Sequence, residues 1–276
     1  MLSQKFDAVI IGTGQAGPSL AARLAGSGMK TAIIEKDKFG GTCVNTGCTP
    51  TKTLVASARV AHLVKRSSDY GIDIDGTVKL DMRKVKARKD TLVEQSNQGI
   101  ENWLKSTENL TVVEGHARFT GPNTIQVNQQ LLHANRIFIN VGGRAFVPPG
   151  FEGVDYLTHE TIMEVDFVPE HLVVVGGSYI GLEFGQMYRR FGSEVTIIEM
   201  SDRLLTREDP DVSQEIQKFL EQEGINFRLN AKCLSGKKID NGIMVNLDCE
   251  TGDKQVAGSH LLIATGRRPN TDDLGL

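Results

Sequence analysis

An α/β protein of two three-layer, doubly wound domains, the second inserted into the first, is what this 276-residue sequence predicts. Three observations carry that expectation. The chain opens with an apolar run, a glycine-rich turn and an alanine-rich stretch; the same pattern returns in register later in the chain; and a shorter, glycine-ended segment follows each copy.

The first copy reads DAVIIGTGQAG. The run Ala8 to Ile11 is a strand, Gly12, Gly14 and Gly17 form a tight turn, and the residues up to Gly28 form a helix. A second strand, TAIIE, ends at Glu35. Such a unit suits a dinucleotide: the glycines let backbone approach a pyrophosphate, the helix N-terminus stabilises its charge, and the carboxylate accepts from ribose hydroxyls.

The stretch GGTCVNTGCTPTK follows, with Cys43 and Cys48 among Gly40, Gly41 and Gly47. On a regular helix an i, i+5 pair points to different faces, so bridging the two needs a distorted turn that brings their α-carbons within about 7 Å. The glycines make that turn feasible. Pro50 is expected as the first residue of a helix running through TKTLVASARVAHLVKR, which puts Cys48 at a helix N-terminus, where thiolate is favoured, with Lys52 one turn on. A close pair of this kind points to redox activity or metal binding. Zinc is disfavoured because no CxxC or histidine pair stands nearby to complete a ligand set.

The basic run from Lys79 to Lys89 leads into an amphipathic helix through Trp103 and is expected to be a solvated face. Short β-rich segments follow, and then FINVGGR, a strand that returns to the first sheet. Pro148, Pro149 and Gly150 mark the join. Beyond it, HLVVVGGSYIGLEFGQMYRRFGSEVTIIE repeats the opening at a constant offset, so that Gly12, Gly17, Gly28 and Glu35 reappear as Gly176, Gly181, Gly192 and Glu199. LIATGRR repeats FINVGGR, with Ile263, Gly266 and Arg268 matching Ile139, Gly142 and Arg144. The expected domains are 1–147, 148–265, and a segment 266–276 that starts back toward the first domain. Both domains are Rossmann-like.

A net charge of −3, from 31 basic and 34 acidic residues, makes no case for nucleic acid or an acidic membrane surface. No apolar run approaches the about 20 residues of a membrane helix, and the first is too short for a signal peptide, so a cytoplasmic protein is expected. Four cysteines are too few for a disulfide scaffold. Cys233 and Cys249 read as ordinary, partly buried thiols.

Together, the two fingerprints and GGTCVNTGCTPTK resemble the class I pyridine nucleotide-disulfide oxidoreductases, the family of dihydrolipoamide dehydrogenase, glutathione reductase and mercuric reductase. The resemblance spans the whole chain. It implies an FAD-binding first domain, an NAD(P)-binding second domain and electron transfer between NAD(P)H, flavin and a Cys43-Cys48 redox disulfide. In that scheme Cys48 is the thiolate beside the flavin and Cys43 the thiol that exchanges with substrate, either a small-molecule or protein-bound disulfide or a metal ion. By carry-over, Gly12, Gly14 and Gly17 hold the FAD pyrophosphate, Glu35 with Lys36 its adenosine ribose, Gly41 and Thr42 approach the flavin, His116 and Ala117 face adenine, and Gly142 closes the site. Lys52 pairs with Glu183 beside flavin N5, and a carboxylate partner would keep a buried lysine charged. Gly176, Tyr179, Ile180, Gly181 and Gly266 serve the nicotinamide nucleotide. Glu199 favours NADH over NADPH, against which stand Arg203 and Arg207 nearby.

Ser178 departs from the family pattern at the middle glycine, NVGG replaces ATG, and Thr49 replaces an aliphatic residue. Family members continue into a dimerisation domain that supplies a His-Glu acid-base pair, and none of the six histidines here falls in such a motif, so a chain shortened from a homodimeric parent is expected. Two alternatives stand beside this reading: an NADH-dependent flavin reductase without disulfide chemistry, and a nucleotide-binding fragment without turnover.

Overall fold

A computed structural model describes residues 2–248 and 253–276. In chain order the elements are β1 (Leu2–Ile11), α1 (Ala16–Gly26), β2 (Thr31–Glu35), α2 (Gly41–Asn45), α3 (Cys48–Lys65), α4 (Met82–Ser106), β3 (Leu110–Glu114), β4 (Ala117–Gly121), β5 (Thr124–Val127), β6 (Gln130–Ile139) and β7 (Gly143–Ala145). They continue with β8 (His171–Val175), α5 (Tyr179–Phe191), β9 (Glu194–Ile198), α6 (Pro210–Gln222), β10 (Ile225–Arg228), β11 (Lys232–Ile239), β12 (Gly242–Asp248), β13 (Gln255–Gly258), β14 (His260–Ile263) and β15 (Arg267–Pro269). Two compact units result, and each is α/β.

The first unit takes the chain up to Thr51, then Asp90–Arg144 and Arg268–Leu276. Its sheet has the order β3-β2-β1-β6-β5-β4, parallel from β3 to β6 and antiparallel beyond. Successive residues of β1 and β2 serve opposite faces, as a pleated strand requires. Val9, Ile11, Ala32 and Ile34 join one cluster with Ile125 and Leu132, while Ile10 and Ile33 join another with Ala21, Phe39 and Leu104. A strand covered on both faces reads as an unbroken apolar run, which is why VIIG was legible as a strand.

The second unit comprises Lys52–Lys89 and Ala145–Arg267. Its parallel sheet, β10-β9-β8-β14, repeats the order of the first. One face of it, through Leu172, Val174, Ile197 and Leu262, packs with Leu182, Phe184 and Tyr188 of α5 and Leu220 of α6. The other face, through Val173, Val175 and Ile263, packs with Ile243, Val245 and Val256 of the antiparallel sheet β11-β12-β13. Three layers stand here as expected.

The boundaries differ from those the sequence suggests. Units change at Arg144/Ala145 and Arg267/Arg268 rather than at 147/148 and 265/266, and Lys52–Lys89 groups with the second unit. The reason is packing: Leu54, Ala58 and Met82 are buried in the cluster of Ile162, Leu172 and Leu182. Gly150 lies inside the second unit, its carbonyl accepting from Gly236 N at 2.8 Å. The basic run is likewise not all solvated. Lys89 is buried, and its Nζ meets Glu164 Oε1 at 3.1 Å.

Candidate active site

Both glycine turns exist because backbone crosses backbone there. Gly12 has φ +105° and Gly176 φ +117°, and a Cβ on either would lie 2.3 or 2.4 Å from the carbonyl oxygen of Asn140 or Ala264 on the return segment. A Cβ on Gly17 or Gly181 would lie 2.2 or 1.9 Å from the carbonyl oxygen of Gly12 or Gly176. No side chain other than hydrogen fits at these four positions.

The turns feed α1 and α5, which start without a side-chain cap and without an acidic residue in the first turn. First-turn N–H groups have no partner within a helix, so both ends suit an anionic group. Gly41 comes up beside the first turn: a Cβ on it would lie 2.7 Å from Gly14 Cα. The cradle around Gly12, Gly14, Gly17 and Gly41 therefore fits the pyrophosphate of a dinucleotide, and the turn at Gly176 and Gly181 fits a second one.

The two acidic residues at the strand ends differ in what they bind. Glu35 Oε2 accepts from the N–H and the hydroxyl of Thr13, and Oε1 accepts from Lys36 N at 2.9 Å and Asp37 N at 3.0 Å. That fills the roughly four acceptor positions of a carboxylate. Glu199 Oε2 accepts from Gly177 N at 2.7 Å and Oε1 from Ser201 N at 2.9 Å, which leaves an acceptor direction on each oxygen.

Cys43 lies within the short helix α2 and is half-buried; Cys48 opens α3 and is exposed; both are free thiols. The helix starts at Cys48 rather than at Pro50, because Thr51 N already bonds the Gly47 carbonyl at 2.9 Å. Pro50 still falls in the first turn, where an absent N–H leaves no bond unmade. A Cβ on Gly47 would lie 2.7 Å from Thr42 O, so glycine lets the chain fold back between the cysteines. Burial first, and the adjoining Cys48 thiol second, push the Cys43 thiol above its ordinary range, while a backbone hydrogen bond from Cys48 acts the other way.

Lys52 bonds Glu183 Oε1 across α3 and α5. The pair is not buried as the sequence reading supposed: the lysine side chain is 70 % exposed and the glutamate 31 %. Tyr179, exposed at the start of α5, donates from its hydroxyl to Glu208, and that carboxylate pushes the phenol up. Ile180 is partly buried beside it in the helix.

Ala117 is buried, whereas His116 is exposed and its Nε2 lies 3.3 Å from Asp273 of the last segment. Gly142 has φ +65° and accepts from Asn270 N at 3.1 Å; Gly266, its counterpart, has φ +142° and accepts from Phe146 N at 3.0 Å. Thr42 is half-buried in α2 and Lys36 is exposed. Cys249 lies outside the described residues, as does the side chain of Cys233.

Three further residues brace the site. Thr13 is fully buried, donates its hydroxyl to Glu35 and accepts from Gly40 N at 3.1 Å. Asn140 Nδ2 donates to Gly12 O at 3.3 Å and Gly14 O at 3.5 Å. Asn97 reaches the cysteine-bearing turn from α4. Asn140 was visible as the odd residue in NVGG; the other two gave no signal.

Comparison with known proteins agrees with this geometry. The family described as "Pyridine nucleotide-disulphide oxidoreductase" matches residues 6–276. A mercuric reductase from Lysinibacillus sphaericus is 35% identical over 273 residues, 98% of this chain and 50% of that protein. A dihydrolipoyl dehydrogenase from Thermus scotoductus is 35% identical over 275 residues, 98% of this chain and 59% of that protein. The solved structure of the HOCl-induced flavoprotein disulfide reductase RclA from Escherichia coli superposes with a TM-score of 0.84 at 34% identity, over 97% of this chain and 58% of that one. The chain thus spans about half the length of the curated relatives it matches. Among the described residues no helix is long and apolar enough to cross a membrane.

Proposed function

This chain belongs to the pyridine nucleotide-disulphide oxidoreductase family, and from that premise we propose that it moves electron pairs between NADH and the Cys43–Cys48 pair, which exchanges with a disulfide or metal-ion substrate. FAD, when bound to the first unit, supplies the two-electron redox chemistry that joins nicotinamide to thiol.

The chain's own residues then have distinct tasks. Gly12, Gly14, Gly17 and the N-terminus of α1 bind the FAD pyrophosphate, and Gly41 and Thr42 bring the cysteine-bearing turn against that cradle. Gly176, Gly181 and the N-terminus of α5 bind the nicotinamide nucleotide. Glu199 takes the ribose hydroxyl: its two remaining acceptor directions suit a 2'-OH, and its charge repels a 2'-phosphate. Arg203 donates to Thr206 O at 3.2 Å, which draws it toward its own loop. Lys52 is oriented by its ion pair with Glu183. Cys48, at the start of α3, is the thiol that takes up electrons from the flavin, and Cys43 the thiol that attacks substrate.

The observation that carries this reading is the pair of adjoining thiols in a turn whose backbone touches the dinucleotide cradle. Relatives named for mercuric ion and for the dihydrolipoyl group motivate the two substrate classes. A cytoplasmic location is consistent with a dithiol that works by being reduced. The test is an absorption spectrum of the FAD-loaded chain, titrated with NADH, beside a Cys48→Ser variant. A long-wavelength band that develops on two-electron reduction and is absent from the variant is the expected result. Equal acceptor reduction by both proteins, with no such band, would sink the disulfide mechanism.

A further inference from the structure

The turn that carries Cys43 is held by a side chain from another element. Asn97, on α4, donates from Nδ2 to the Phe39 carbonyl at 2.7 Å and to Asn45 Oδ1 at 3.1 Å. Asn45, in α2 with Cys43, donates to the same Phe39 carbonyl at 2.8 Å and to Gly41 O at 3.0 Å. The last residue of α2 is thereby tied to the carbonyl that precedes the helix, and Asn97 fastens both. Ile100 and Leu104 follow on the same face of α4, at i+3 and i+7, and pack in the cluster of Phe39. Ile100 also closes over the turn: its Cδ1 lies 3.0 Å from where a Cβ on Gly40 would stand. The helix thus presents two apolar residues and one amide to a single short segment.

We infer that Asn97 is a positioning residue for the Cys43–Cys48 pair: by fastening α2 to the Phe39 carbonyl it holds the two sulfurs within bonding reach and so sets how readily they close to a disulfide. The inference rests on the redox role proposed above. Closure demands α-carbons within about 7 Å and a C–S–S–C angle near 90°. Cys43 and Cys48 belong to different helices, so the placement of α2 against the start of α3 decides whether that geometry is at hand. Hydrogen bonds fix such a placement because they are directional. Without Asn97 the turn gains freedom, the local concentration of one sulfur near the other falls, and closure weakens.

The reaction to follow is exchange with oxidised glutathione. Cys43 and Cys48 each lose a proton, one S–S bond forms between them by way of a mixed disulfide, and the glutathione S–S bond breaks to give two glutathione thiols. The full 276-residue chain would be equilibrated in glutathione buffers, quenched by alkylation and read by mass spectrometry, as wild type, Asn97→Ala, Asn97→Asp and Gln98→Ala. Gln98 is the next residue on α4 and bonds Glu94, so its variant reports any general effect of altering the helix. Asn97→Asp keeps the size of the side chain while removing the donor, which serves if the alanine variant folds poorly.

The expected result is a closure constant lowered about tenfold in both Asn97 variants, equivalent to about 30 mV for a two-electron couple, with Gln98→Ala at the wild-type value. Wild-type closure in folded Asn97 variants, or an equal fall in Gln98→Ala, overturns the inference and leaves the redox reading standing. A wild-type pair that never closes at any glutathione ratio overturns both.

Discussion

The two glycine fingerprints share a sequence pattern and a backbone path, yet the structure uses them differently. In the first, Thr13 fills the last acceptor positions of Glu35, ties the turn to Gly40, and Asn140 braces the Gly12 and Gly14 carbonyls. In the second, glycine stands at 177 and alanine at 264, and Glu199 keeps acceptor capacity. A side chain at 177 would also have to displace its neighbours: a Cβ on Gly177 would lie 2.8 Å from Leu204 Cδ2 and 3.0 Å from Glu199 Cβ. The first turn is pre-organised around a carboxylate whose acceptor positions are taken up within the fold. The second leaves its carboxylate with acceptor directions for a ligand hydroxyl. Pre-organisation favours affinity by lowering the ordering cost of binding.

Four experiments would break or sharpen that contrast. The largest effects come from Gly12→Ala and Gly181→Ala, where a methyl meets backbone; each should lose its own nucleotide and about 3 kcal/mol of stability or more, and calorimetry with FAD and with NADH tells the sites apart. Loss of both nucleotides from either single change would mean the sites are not independent. Thr13→Val should cost about 2 kcal/mol in urea unfolding, since it strands the buried Gly40 N–H and a bond to Glu35. A wild-type midpoint would mean that Thr13 does not brace the turn. Next, Asn140→Ala, which installs the residue found at 264, should cost about 1 kcal/mol and speed hydrogen exchange of the 12–17 amides while the 176–181 amides stay unchanged.

The smallest effect is a pH dependence confined to the first unit. Because burial and Cys48 raise the Cys43 thiol, its thiolate fraction at neutral pH is below that of an ordinary thiol, and alkylation of Cys43 in the reduced chain should keep rising with pH where a free thiol levels off. Peptide-resolved iodoacetamide rates between neutral and alkaline pH would show it. A Cys43 profile that coincides with a model thiol contradicts the stated shift.

Residues whose role is local were legible beforehand. Gly12, Gly17, Gly176 and Gly181 announce themselves because a crossing of backbones admits no side chain, and the strands announce themselves by apolar runs buried on both faces. The cysteine pair was legible for the same reason, down to Gly47 between them. The opposite held for Lys52–Lys89. Its helical sequence carries no mark of which core receives it, and the basic run concealed Lys89, whose stem is buried and whose charge meets Glu164. The pairing of Lys52 with Glu183 across 131 positions follows from the family resemblance alone, and nothing in the sequence marks how exposed the pair is.

By itself, then, the sequence determined the repeated α/β plan, the places where only glycine fits and the position of the thiols, because each follows from φ, ψ and side-chain volume within a few residues. Only the tertiary structure decided that Glu35 is committed to Thr13 while Glu199 is not, that Asn97 fastens the cysteine turn, and where the chain passes between its units. Those outcomes depend on which distant side chains meet, and hydrogen bonds and packing between them are set by three-dimensional distance rather than by order along the chain.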